Sequence, residues 1–172
     1  MLHHPSIPLE SPGNRVSKRR RPGTLLSMSH HSSYKREQHT VPTADGWQLA
    51  LYHYSPENAG SALGPTLLVH GLGANRYNMA PPVHEISIAE YLRSRGHDIW
   101  VAELRGAGRS RTKGWRRRKF FNFNDHVFQD APALIQRVLD ETGASRVNWV
   151  GHSLGGMIAY ASLINGRQDW IR

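Results

Sequence analysis

The spacing of apolar residues changes period repeatedly along this chain. Residues 39–42 and 48–54 are rich in strand-forming side chains, and Asp45-Gly46 lies between them. Glycine accepts positive φ without steric cost, so the pattern predicts a β-hairpin. A Pro-, Gly-, Ser- and Asn-bearing stretch over 56–65 predicts a loop. Thr66-Leu-Leu-Val69 then forms a short apolar run ending at His70-Gly-Leu-Gly73, which suits a buried parallel strand. Ile86, Ala89, Leu92 and Arg93 follow helical spacing, with Ile88 and Tyr91 beside them, and Gly96 closes that helix. Residues 98–102 predict a strand. A helix capped by Asn124 or Asp125 is expected to run to about Thr142, with Val127, Ala131, Leu134, Ile135, Val138 and Leu139 on its apolar face. Pro132 falls inside it and should bend or split it. Residues 146–150 predict a further strand and 154–164 an apolar helix ended by Gly166, and Trp170-Ile171 looks like the opening of another strand. Alternation of this kind implies an α/β fold: a mostly parallel sheet with helices on both faces.

Residues 1–36 break the pattern. They show neither period, are rich in Ser, His and Pro, and contain Arg15, Lys18, Arg19, Arg20 and Arg21. They are expected to form a disordered basic arm before a domain over 37–172. No apolar h-region follows the arginines, so a secretory signal is not expected and the chain reads as cytoplasmic. Pro5, Pro8, Pro12 and Pro22 work against an amphipathic transit helix, and Met28 is an alternative start. The chain has no cysteine, which excludes disulfide scaffolds, thiol nucleophiles and thiolate metal sites. It has no apolar run long enough for a membrane span.

A net charge of +9 raises nucleic acid or an anionic membrane surface as partners. A second basic cluster comprises Arg109, Arg111, Lys113, Arg116, Arg117, Arg118 and Lys119, with Trp115, Phe120, Phe121 and Phe123 among them. Basic and aromatic residues together suit single-stranded nucleic acid. The cluster lies in one loop without a nucleic-acid module around it, so nucleic acid is not the expected partner. Glycines at 71, 73, 106 and 108 do not form a dinucleotide fingerprint at one strand–helix turn. No cofactor is expected. His3-His4 and His30-His31 are weighed as metal ligands and set aside, because paired histidines in a floppy arm rarely bind.

The chemistry concentrates at Gly151-His152-Ser153-Leu154-Gly155, which fits G-x-S-x-G between a predicted strand and a predicted helix. A sharp turn there would strain Ser153 and expose its Oγ. Gly151 and Gly155 would remove β-carbons that otherwise collide across the turn. The helix N-terminus lends positive potential, and the Leu154 N–H would face an oxyanion. The N–H of Leu72, in the His70-Gly-Leu-Gly73 loop about 80 residues upstream, is the candidate second donor.

Three blocks together resemble the α/β-hydrolases: Val69-His-Gly-Leu-Gly73, Glu103-Leu-Arg-Gly-Ala-Gly-Arg-Ser110 and Gly151-His-Ser-Leu-Gly-Gly156. The likeness covers roughly 37–172. The stretch from Arg105 through Phe121-Asn-Phe-Asn-Asp125 to Asp130-Ala-Pro132 is similar to the acid lipases among them. The resemblance implies that Ser153 is the nucleophile, that Leu72 and Leu154 supply the oxyanion-hole amides, and that His70 stabilises its loop. It implies a serine hydrolase of carboxylic esters, lipid-like ones included, acting through an acyl-enzyme. The family's acid and base follow the nucleophile in chain order. Past Ser153 this chain offers Asp169, on the wrong side of the sheet, and no histidine. The triad acid and base are therefore expected to lie outside this chain, which would be the N-terminal part of a hydrolase domain truncated after the nucleophile helix. Little turnover is expected of it. The alternative is a non-catalytic relative that binds a partner or an anionic membrane surface through its basic segments.

Overall fold

The computed structural model describes residues 36–56, 63–113 and 120–172. Residues 1–35 of the expected arm, Met28 among them, and Arg116, Arg117, Arg118 and Lys119 lie outside them. Six strands form one sheet: β1 (Arg36–Pro42), β2 (Trp47–Tyr54), β3 (Pro65–Val69), β4 (Asp98–Glu103), β5 (Arg111–Thr112) and β6 (Asn148–Gly151). Arg36, assigned to the arm by sequence, is the first residue of β1. Among the described residues, three helices longer than one turn accompany the sheet: α1 (Ile88–Ser94), α2 (Ala131–Thr142) and α3 (Leu154–Ile164).

The main strand order is β1-β2-β4-β3-β6, and β5 pairs with the start of β2. Strands β4, β3 and β6 are parallel neighbours. Strand β2 is antiparallel to β1, β4 and β5, so it alone runs against the others. The β1–β2 hairpin forms as expected. Gly46 has φ 91° and donates to the Thr43 carbonyl at 3.0 Å.

Period-2 alternation assigns the two faces of the sheet. Leu49, Leu51, Leu67, Val69, Trp100 and Ala102 point to one side, where Ala131, Leu134, Ile135 and Val138 of α2 and Ile158 of α3 cover them. Ala50, Tyr52, Leu68, Ile99 and Val101 point to the other, against Met79, Ala80 and Ala89. Helices thus occupy both faces. Helix α1 is short and buries only Ala89 and Arg93, while Ile86 and Tyr91 stay exposed. Its end is a Schellman turn at Gly96 (φ 86°), with Gly96 N–H on the Arg93 carbonyl and His97 N–H on that of Leu92.

The helix before β6 departs from expectation at its start. Asn122, not Asn124 or Asp125, is the cap: its side chain accepts from Asn124 N–H, and Asp125 accepts from Asn122 N–H at 2.7 Å. One α-turn (Phe123–Asp125) leads into a π segment (His126–Asp130), and regular α2 begins only at Ala131. Pro132 explains the break. It has no N–H to donate, and its ring would strike the carbonyl four residues back, so the wider π turn precedes it. Beyond β6, Val147 bridges Ile171 in parallel, the expected opening of another strand.

Candidate active site

The C-terminal ends of parallel strands β3, β4 and β6 bring three loops together. Ser153 joins β6 to α3 with φ 50° and ψ −112°, the one non-glycine residue with positive φ among the described residues. The turn is tight for the expected reason. A Cβ on Gly151 would run into the backbone of Gly155 and Gly156, and one on Gly155 into the Val69 carbonyl. No larger residue fits either place without moving backbone. Ser153 itself is exposed.

The loop after β3 lies against this turn. A Cβ on Gly71 would sit 2.9 Å from His152 Nδ1 and 3.3 Å from Ser153 Cβ, and His152 N–H donates to the Val69 carbonyl at 3.0 Å. His70 fixes the loop. Its Nε2 accepts the Leu104 N–H at 3.1 Å, so Nδ1 carries the proton and donates to the Gly71 carbonyl at 2.8 Å. Burial holds the His70 pKa below the ordinary histidine value, although the Gly71 carbonyl opposes the shift. The ring is therefore a neutral strut between the β3 and β4 loops.

Among the described residues, the N–H groups of Leu72 and Leu154 find no acceptor, while their neighbours Gly155, Gly156 and Met157 donate within the turn. Leu72, Ser153 and Leu154 line one cleft of about 420 Å³ with Phe121, Phe123 and Met157. The three residues named from sequence are thus brought together. Phe121 and Phe123 were grouped by sequence with the basic cluster as nucleic-acid aromatics. Here they form apolar wall beside Ser153, and Phe121 packs edge-on against Trp47 and His126, with centroids 5.7 and 5.5 Å away. The Phe121-Asn-Phe spacing could have signalled this, since it directly precedes the capped helix.

Two buried ion networks hold the loops. Glu103, fully buried, accepts from Arg109 N–H at 2.7 Å, Tyr52 Oη at 3.1 Å and Arg76 Nη1 at 3.2 Å. A Cβ on Gly108 would overlap that carboxylate, which explains the glycine. Arg105 reaches Asp130 through Nε at 2.9 Å and Asp45 through Nη1 at 2.8 Å. Asp130 also accepts from His126 Nδ1 at 2.9 Å. Burial raises the Asp45 pKa, but the bonds from Arg105 and Thr43 outweigh it and leave the value below the ordinary range. Asp169, set aside above as an acid, is 3.8 Å from Arg146 with its side chain exposed.

A model of the alpha/beta hydrolase fold family matches residues 64–166. The chain belongs to this family. Curated relatives include "Lipase 3" of Drosophila melanogaster, 32% identical over 145 residues, covering 80% of this chain and 36% of the relative. The human "Gastric triacylglycerol lipase" is 30% identical over 156 residues, covering 80% and 38%. The chain therefore spans well under half the length of these hydrolases. Among solved structures, an esterase from Pyrococcus furiosus superposes with a TM-score of 0.61 at 18% identity, covering 79% of this chain and 49% of that one. A potato epoxide hydrolase variant superposes with a TM-score of 0.53 at 23% identity, covering 80% and 38%. These two likenesses establish the fold. Among the described residues no helix is long and apolar enough to cross a membrane.

Proposed function

We propose that this chain carries the nucleophile half of a carboxylic-ester hydrolase whose substrates are lipid-like. The observation that carries the reading is the strained, exposed Ser153 beside two unused main-chain amides. Ser153 Oγ attacks the ester carbonyl carbon, and the Leu72 and Leu154 N–H groups receive the developing oxyanion. The C–O bond to the alcohol breaks, the alcohol leaves with the proton that Ser153 Oγ gives up, and water cleaves the acyl-serine, releasing the acid and restoring the hydroxyl. Each such donor contributes about 2.7–4 kcal/mol to transition-state stabilisation. Leu72, Phe121, Phe123 and Met157 give the cleft an apolar wall, which suits an acyl chain, and the lipases among the relatives favour the same substrate class.

Among the described residues no histidine hydrogen-bonds to Ser153, so no base activates Oγ for attack or water for deacylation, and slow acylation by an activated ester with little turnover is the expected behaviour. The test is incubation with p-nitrophenyl butyrate followed by mass spectrometry. One butyryl adduct per chain on Ser153, absent in Ser153→Ala, is expected. An adduct elsewhere, or none, overturns the reading. Steady turnover lost in Ser153→Ala would keep the nucleophile and place a base within this chain.

The second reading, a non-catalytic surface binder, is favoured by exposed Arg109, Arg111 and Lys113 beside one another on the chain. Its signature is salt-sensitive binding to anionic vesicles. Absence of binding at low salt removes it.

A further inference from the structure

At the sheet edge opposite β6, β1 and β2 place three metal-ligating side chains on one face. Glu37 is the cross-strand partner of His53, and His39 lies two residues along β1. One donor atom from each comes within 4.8 Å of the other two. We propose that Glu37, His39 and His53 form a binding site for a divalent transition-metal ion of the zinc class, with water completing the coordination.

His39 provides the independent sign. It is only 8% exposed, its Nε2 is buried, and that atom has no hydrogen-bond partner. Its Nδ1 accepts from Arg137 Nη2 at 3.1 Å, which puts the ring proton on the unpartnered Nε2. A buried donor without an acceptor is unfavourable, and a cation at Nε2 removes the problem. The proton then belongs on Nδ1, whose nearest carboxylate, Glu141 Oε1 at 3.9 Å, must swing closer to accept it as Arg137 turns aside. Arg137 gives up its bond to the ring but keeps its 2.6 Å ion pair with Glu141.

His53 is already arranged as a ligand. Its Nε2 donates to Asp98 Oδ1 at 2.5 Å, and Trp100 Nε1 donates to the other Asp98 oxygen at 2.9 Å. The lone pair is thus left on Nδ1. The ring is held flat on Trp100, centroids 4.1 Å apart and planes 13° apart. A carboxylate behind a ligating imidazole is the usual outer-sphere arrangement of such sites. Glu37 is exposed and free to close the remaining distance, which is about 1–2 Å beyond ideal tetrahedral spacing. Two imidazoles and one carboxylate suit zinc-class ions over calcium or magnesium, which prefer oxygen donors. The charged groups around the site are Glu37, Asp98 and Glu141 against Arg137, a balance that favours a cation. Sequence alone misses the set, because fifteen residues lie between Glu37 and His53.

The experiment uses the full 172-residue chain without an added histidine tag, stripped with EDTA. Zn²⁺ is titrated by calorimetry, and Co²⁺ replaces it to read coordination from visible absorption. One equivalent is expected, with a four-coordinate Co²⁺ spectrum. Glu37→Gln, an exposed substitution that leaves the fold intact, is expected to weaken binding by tenfold or more. His39→Ala and His53→Ala are expected to abolish it. Asp98→Asn is expected to weaken it by about 10–100-fold. Unchanged one-to-one binding in Glu37→Gln, or absence of binding by the parent chain, overturns the proposal. So does binding that disappears only when His3, His4, His30 and His31 are replaced by Ala.

Discussion

Ser153 keeps a conformation that costs a non-glycine residue about 1–3 kcal/mol, and it does so because its neighbours leave no room for another path. Gly155 is pressed against the Val69 carbonyl and Gly151 against the first turn of α3. Gly155→Ala is therefore expected to destabilise the domain by about 1–3 kcal/mol or more, read as a lower urea midpoint with an unchanged slope. His70 gives a pH dependence of definite sign. Burial lowers its folded pKa, so the unfolded chain takes up the proton first as pH falls. Its stabilising share is complete above the ordinary value of about 6.5 and is lost as pH falls from there towards the depressed folded value. The stability advantage of the parent chain over His70→Asn should shrink between about pH 8 and about pH 5, followed by urea melts at each pH. A constant gap would show that the ring is not buried neutral between Leu104 and Gly71. These residues were legible in sequence because each steric need writes a glycine, and a strand precedes each loop. The partners of Arg105 were not, since Asp130 is 25 residues away and Asp45 is 60.

At the scale of elements, Arg105 ties three pieces that are remote in sequence. Its guanidinium joins the hairpin turn at Asp45 to the π segment at Asp130, while its own backbone follows β4. The two carboxylates keep its pKa above the ordinary arginine value although burial opposes this. Asp130 is fully buried, so Arg105→Ala leaves an uncompensated charge, at an expected cost of about 3–5 kcal/mol. Arg105→Lys should recover part of this, because one ammonium cannot span both carboxylates as the fork does. Differential scanning calorimetry distinguishes them: equal melting temperatures for the two variants would contradict a two-carboxylate clamp. The same clamp shows why helix periodicity misplaced the start of the 122–142 segment. The apolar face of α2 was plain in the pattern, but the cap at Asn122 and the π turn depend on Pro132 together with Asp130, and period alone carries neither. Strands were easier to place, since β3 and β4 are buried on both faces and write continuous apolar runs.

At the scale of the whole molecule, both edges of the sheet leave surface open. Five of the seven β1 residues are exposed, although Arg137 of α2 reaches His39, and α3 presents Met157, Tyr160 and Ile164 to solvent at helical spacing, 58%, 73% and 82% exposed. Beside them, β6 pairs with β3 on one side and, among the described residues, meets only the single Val147–Ile171 bridge on the other. An apolar helix stripe next to a strand with unpaired backbone groups favours association, because both the hydrophobic surface and the free N–H and C=O groups gain from contact. The high positive charge opposes it by mutual repulsion. Salt decides between the two, since it screens charge and leaves apolar attraction in place. Light scattering of the full chain is therefore expected to rise with salt. The double substitution Tyr160→Lys and Ile164→Lys should suppress that rise, because it puts charge on the stripe without touching the core side of α3, where Ile158 is buried. Scattering that falls with salt would instead assign association to the basic segments, and an unchanged rise in the double variant would move the contact away from α3.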